Sequence, residues 1–145
     1  MRTAFFWLIN FLCIPYFFRE FIQKNKVSIL LFHDLEFKSS EKIFKFLIKN
    51  YNIICLQDYI NAVKNDNYNA IPNKALIITF DDGHINNYKL LPVIKKLSLP
   101  ITIFLCSGLI NTNRKYWFTL DLNKKLKNQL KTITNNQRLN ILSDL

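Results

Sequence analysis

The chain has 145 residues, the length of one ordinary domain and enough to bury a core. Half of it is hydrophobic and 14% is aromatic, with only 2 glycines and 4 prolines, which excludes disordered, collagen-like and linker-like classes. The formal net charge is +10, yet the lysines are scattered and no basic run is interleaved with aromatics, so no nucleic-acid partner is expected. Cys13, Cys55 and Cys106 show no C-x-x-C spacing. Each sits in an apolar run, where a small buried hydrophobe is expected rather than a disulfide or a zinc knuckle.

In chain order, residues 1–26 read as a hydrophobic N-terminal helix. Arg2 precedes an apolar stretch from Ala4 to Phe18, interrupted by Asn10 and Pro15. A spanning helix wants ~20 apolar residues and no internal proline, so a true span is disfavoured. No small-residue cleavage site follows, as a signal peptide would require. Phe5, Trp7, Phe17 and Phe18 with Arg19, Lys24 and Lys26 suit a helix lying at a membrane surface, or one packed on the rest of the chain. The expected location is accordingly a membrane or cell envelope, with the cytoplasmic face left open.

The remainder, 27–145, alternates strand and helix signals. VSILLFH at 27–33 reads as a buried strand. Ile43, Phe44, Leu47 and Ile48 recur at helical spacing after Ser39 or Ser40, either of which suits an N-cap. NIICL at 52–56 reads as a second strand, 58–64 as a short helix and the polar stretch to Lys74 as a loop. ALIITF at 75–80 is a continuous apolar run, the mark of a parallel strand covered on both faces. A helix follows with Ile85, Tyr88, Leu91, Ile94 and Leu97 on one face, and Pro92 must start its regular part or kink it. ITIFLC from Ile101 is the fourth buried strand, and polar helical sequence runs on from about Tyr116–Phe118. The pattern predicts an α/β fold with about four parallel strands and flanking helices.

Asp81 and Asp82 stand where the strongest strand ends. Adjacent carboxylates repel each other and resist burial. A divalent cation would relieve that cost, and the carboxyl ends of parallel strands are where active sites assemble. The blander reading is one aspartate capping the next helix and the other solvated. Gly83 permits a sharp turn away from the strand.

The strings LIITFDDG at 76–83 and LPITIFL at 99–105, with ILLFHDL at 29–35, resemble the polysaccharide deacetylase family, the NodB homology domain. The resemblance spans about residues 27–120 and is most specific over Thr79–Gly83 and 100–105. It implies a partial (β/α) barrel of the NodB type and metal-dependent hydrolysis of N-acetyl groups on a cell-surface polysaccharide. Carried over by position, Asp81 is the general base and Asp82 a ligand of a divalent metal, zinc in most members. His33 matches a catalytic acid placed at the end of the first strand in the permuted branch. For His33 the alternative is a histidine satisfied by a strand-end carbonyl. The implied partner is an N-acetylated polysaccharide.

One departure stands out. The family completes its metal site with an H-x-x-x-H pair on a later strand, and this chain has only His33 and His84. Catalytic zinc takes three protein ligands and an open position. His84 lies at a position the family does not use, and a solvated histidine at a helix start is expected there. The sequence therefore also reads as a truncated or weakened copy, or as a non-catalytic glycan- or membrane-binding remnant of the fold.

Overall fold

The computed structural model describes residues 13–143. The chain divides into two compact units, with the boundary between Leu105 and Cys106. The first unit holds a mixed α/β arrangement around a four-stranded sheet in which every pairing is parallel. Its strands are β1 (Val27–Phe32), β2 (Asn52–Ile53), β3 (Ala75–Phe80) and β4 (Ile101–Ile103).

β3 is the axis of the sheet. β1 pairs with it along its whole length, from Val27 opposite Ala75 to Phe32 opposite Phe80. Its other edge is shared: β2 takes Ala75 and Leu76, and β4 takes Ile78 to Phe80. Paired on both edges and covered on both faces, all six residues of β3 are buried, as a continuous apolar run requires.

Helices bridge the strands, because parallel neighbours need a crossover connection. The first helix, α1 (Phe37–Asn50), buries Phe44 and Leu47, spaced three apart on one face. It begins three or four residues earlier than a cap at Ser39 or Ser40 would place it. Glu36 occupies the cap position, and the Ser39 hydroxyl donates back to its carboxylate at 3.1 Å. Next come α2 (Leu56–Lys64), α3 (Ile85–Lys89) and α4 (Leu91–Lys96). Pro92 lies in the first turn of α4, where its missing N–H costs nothing, so the long expected helix breaks in two just ahead of it. Phe44, Leu47, Leu76, Ile78, Phe80, Leu90, Val93 and Ile94 form one core, with Leu30, Phe32 and Ile101 packed against it.

Further sequence expectations are corrected. The second strand, expected over 52–56, ends at Ile53, and Leu56 already opens α2. β1 is not buried on both faces: Leu30 and Phe32 pack inward, while Ile29 and Leu31, pointing the other way, are 58% and 46% exposed. The fourth strand stops at Ile103, and Phe104, Leu105 and Cys106 lie exposed. The cysteines are not core residues, since Cys13 and Cys106 are exposed and Cys55 is half-buried at the start of α2. Cys13 and Cys55 each occupy the capping position of a helical segment, and Cys106 that of a short 3₁₀ turn, so none sits inside a packed run.

Residues 1–12 of the expected N-terminal helix lie outside the described residues. Beyond them come one α-helical turn, Ile14–Phe17, and a π-type turn, Phe18–Ile22. Among the described residues no helix is long and apolar enough to cross a membrane.

The second unit, from Cys106 onward, carries α5 (Lys124–Thr132) and α6 (Asn135–Ser143). The Asn123 side chain caps α5 by accepting from the Leu126 N–H at 2.9 Å. Arg138 of α6 stacks on Trp117 at 5.1 Å and donates to the Leu130 carbonyl at 2.9 Å, which fixes the aromatic segment 116–118 against this helix pair.

Glu41 links α1 to α4. Lys45 lies 2.8 Å from its carboxylate and Lys96 2.9 Å, and these hydrogen bonds, that of Lys45 foremost, lower its pKa from 4.5 to about 2. A lowered folded-state pKa contributes stability above the ordinary value and loses it as pH falls through the folded one. Glu41→Gln should therefore destabilise slightly at neutral pH, the pair being exposed. The gap between variant and parent in urea midpoint should shrink between pH about 4.5 and about 2 and vanish below that.

Candidate active site

Register alone brings the site residues together. Phe32 opposes Phe80, so the next residues along the two strands, His33 and Asp81, emerge side by side at the carboxyl ends. The Asp81 N–H donates to the Phe32 carbonyl at 2.9 Å, continuing the ladder one step past the strands. His33 Nε2 lies 3.9 Å from Asp81 Oδ2. That is too long for a direct hydrogen bond and short enough for one mediated by a shared water or a reacting group. Beneath the pair, the Phe32 and Phe80 rings stack at 5.3 Å and form an apolar floor. The Thr79 hydroxyl, buried one residue earlier, donates to the Leu30 carbonyl at 3.5 Å and so removes its own polarity from the core.

The chain then turns in two steps. Asp82 and Gly83 both take left-handed backbone angles, φ 66° and 61°. Aspartate tolerates that region better than most residues, and glycine enters it without penalty. The Gly83 N–H donates back to the Asp81 carbonyl at 2.9 Å. His84 then caps α3: its Nδ1 accepts from the Asn86 N–H at 3.3 Å. The expected helix-start histidine is thus present, half-buried rather than freely solvated, and one of its two ring nitrogens is committed to the backbone.

Two asparagines that sequence reasoning did not single out follow in the first turn of α3. The Asn86 amide donates to Asp34 Oδ2 at 3.1 Å and joins the loop after β1 to the start of α3. Asn87, 3% exposed, has no hydrogen-bond partner for either amide atom. Asn86 and Asn87 read as ordinary helix-start polarity in a chain rich in asparagine, so composition masked them. Asp34 was visible only as a neighbour of His33.

The rim is open, with the side chains of His33 67% and Asp81 31% exposed. Two concavities, of about 390 and 690 Å³, are lined by residues such as Tyr59, Tyr68 and Pro72 and include neither His33 nor Asp81. Nor do the residues present fit a catalytic metal. Among the described residues no three His, Cys, Asp or Glu side chains gather closely enough to hold an ion, and His84 has Nδ1 engaged. What the rim offers is proton chemistry: a carboxylate and an imidazole on one water-accessible edge, above an apolar floor.

Residues 68–138 match the model of a family described as polysaccharide deacetylase. A solved structure of a de-N-acetylase from Aggregatibacter actinomycetemcomitans is similar over 53% of this chain, with 24% identity and a TM-score of 0.44. The similar region makes up 36% of that protein's chain. No curated protein matches the sequence.

The turn makes a test of its own. A Cβ at Gly83 would run into the Leu105 side chain and would have to take a left-handed angle. Gly83→Ala should lower stability by about 1–2 kcal/mol, the left-handed penalty, because the exposed end of Leu105 can move aside. Urea unfolding followed by far-ultraviolet circular dichroism measures this.

Proposed function

Since residues 68–138 carry part of a polysaccharide deacetylase domain, we propose that the rim of β1 and β3 is the proton-transfer half of an N-deacetylase site. Its substrate is an N-acetylated polysaccharide of the cell surface. Asp81 is the general base and His33 the acid that protonates the departing amine. The observation that carries this reading is the 3.9 Å approach of His33 to Asp81 at the ends of paired strands. A base and an acid serving one tetrahedral centre must reach it from adjacent positions, and these are the adjacent positions the register provides.

Family resemblance gives Asp82 the part of a metal ligand, with zinc the expected ion. The residues described here do not complete that ligand set. A general acid and base alone contribute about 10²–10⁴-fold, far short of an enzyme's usual acceleration. We therefore assign these 145 residues a glycan-recognising rim with the acid–base pair in place and no independent turnover. The same ligand count favours the alternative of a non-catalytic glycan-binding form of the fold.

Titration of the chain with an N-acetylglucosamine oligomer, followed by amide NMR, separates these readings. Shifts are expected at His33 and across Asp81–His84, with acetate release at background when zinc, cobalt or nickel is added. No shift at the rim would overturn the glycan assignment. Turnover that Asp81→Asn abolishes would overturn the ligand count.

A further inference from the structure

We infer that residues 13–26 form a docking surface for an anionic lipid bilayer. Within nine residues, Ile14, Tyr16, Phe17, Phe18, Phe21 and Ile22 are all exposed, between 43% and 68%. Soluble domains scatter such residues singly and rarely present them as a contiguous patch. The Phe17 and Phe21 rings stack at 4.7 Å and form a continuous aromatic ridge. Phenylalanines on the apolar face of an interfacial helix bury into the boundary between headgroups and acyl chains of a bilayer.

The ridge is anchored to the domain. Glu20 meets Arg19 at 2.8 Å and Lys74 at 3.2 Å, and the Lys74 N–H donates to the Lys24 carbonyl at 2.7 Å. These contacts hold Glu20 below the ordinary carboxylate range, Arg19 first and Lys74 second. The segment therefore meets the start of β3 through its polar residues while its aromatic ones stay uncovered.

Charge identifies the occupant. Glu20 is the only acid in 13–26, against three cations of the same segment, Arg19, Lys24 and Lys26, and its carboxylate pairs with Arg19 and the neighbouring Lys74. Lys24 and Lys26 are exposed and enter no ion pair among the described residues. An aromatic ridge flanked by unneutralised cations complements an anionic headgroup layer, which attracts each lysine or arginine and accepts the rings beneath it. A purely apolar protein groove would leave those cations unanswered. The chain's overall charge of +10 acts in the same direction.

The experiment is sedimentation of the full chain with vesicles of phosphatidylcholine alone or mixed with phosphatidylglycerol. Binding is expected to the mixed vesicles, weaker binding to the neutral ones, and release as salt rises. Phe17→Ser with Phe21→Ser should lower partitioning more than about tenfold. Lys24→Gln with Lys26→Gln, which leaves the ridge and its anchor intact, should lower binding to the anionic vesicles by about fivefold or more per cation and leave neutral binding unchanged. Parent-level binding by both variants, or no binding of the parent to either vesicle, overturns the inference. So does lipid-free self-association that the phenylalanine substitutions abolish, since the ridge would then join two copies of the chain. None of these readouts depends on metal or on deacetylation.

Discussion

Everything else in the first unit hangs on the burial of β3. Six residues, Ala75 to Phe80, are withdrawn from water on both faces, all paired along one edge and all but Ile77 along the other. An unpaired backbone group there would cost as much as a lost hydrogen bond, so neighbours on each side are obligatory. β1 supplies one edge alone, and β2 and β4 divide the other. The core of α1 and α4 exists to cover one face of this strand.

The same burial explains the rim. Charge cannot enter the strand, so Asp81 appears at the first position beyond it, and in-register pairing puts His33 there too. Direction then has to change quickly. Two successive left-handed residues, Asp82 and Gly83, accomplish that before His84 caps the next helix. The carboxylate pair is therefore divided by the backbone itself: Asp81 continues the strand and Asp82 begins the turn. Adjacent acids in sequence have become groups with different backbone geometries.

Much of this was legible from residues. Continuous apolarity over 75–80 specified a doubly covered strand, and Pro92 marked the break between α3 and α4, because both signals are local consequences of burial and of a missing N–H. Asp81, Asp82 and His33 were legible because they terminate such runs. The exposure of Ile29 and Leu31 was not. A strand covered on one face and a strand covered on both look alike when every side chain is apolar, and only the neighbours decide which it is. Cys106 and Leu105 misled for the same reason. Asn86 and Asn87 were lost among the many asparagines, and the contact of Asn86 with Asp34 joins segments 52 positions apart.

Two stretches of exposed apolar surface differ in backbone and in charge, and the difference decides what each can contact. Ile29 and Leu31 stand on a β1 face, and Phe104 and Leu105 follow β4; all are aliphatic or aromatic side chains attached to sheet backbone or its continuation. Such surface is matched by another packed layer, which offers dispersion contacts and no charge. The 13–22 ridge is built on helical turns whose backbone is internally bonded, with cations on its flank. It needs no backbone partner, and its charges need an anionic one. Helical backbone with an apolar face and a basic flank is the combination a bilayer surface can satisfy without any complementary protein shape.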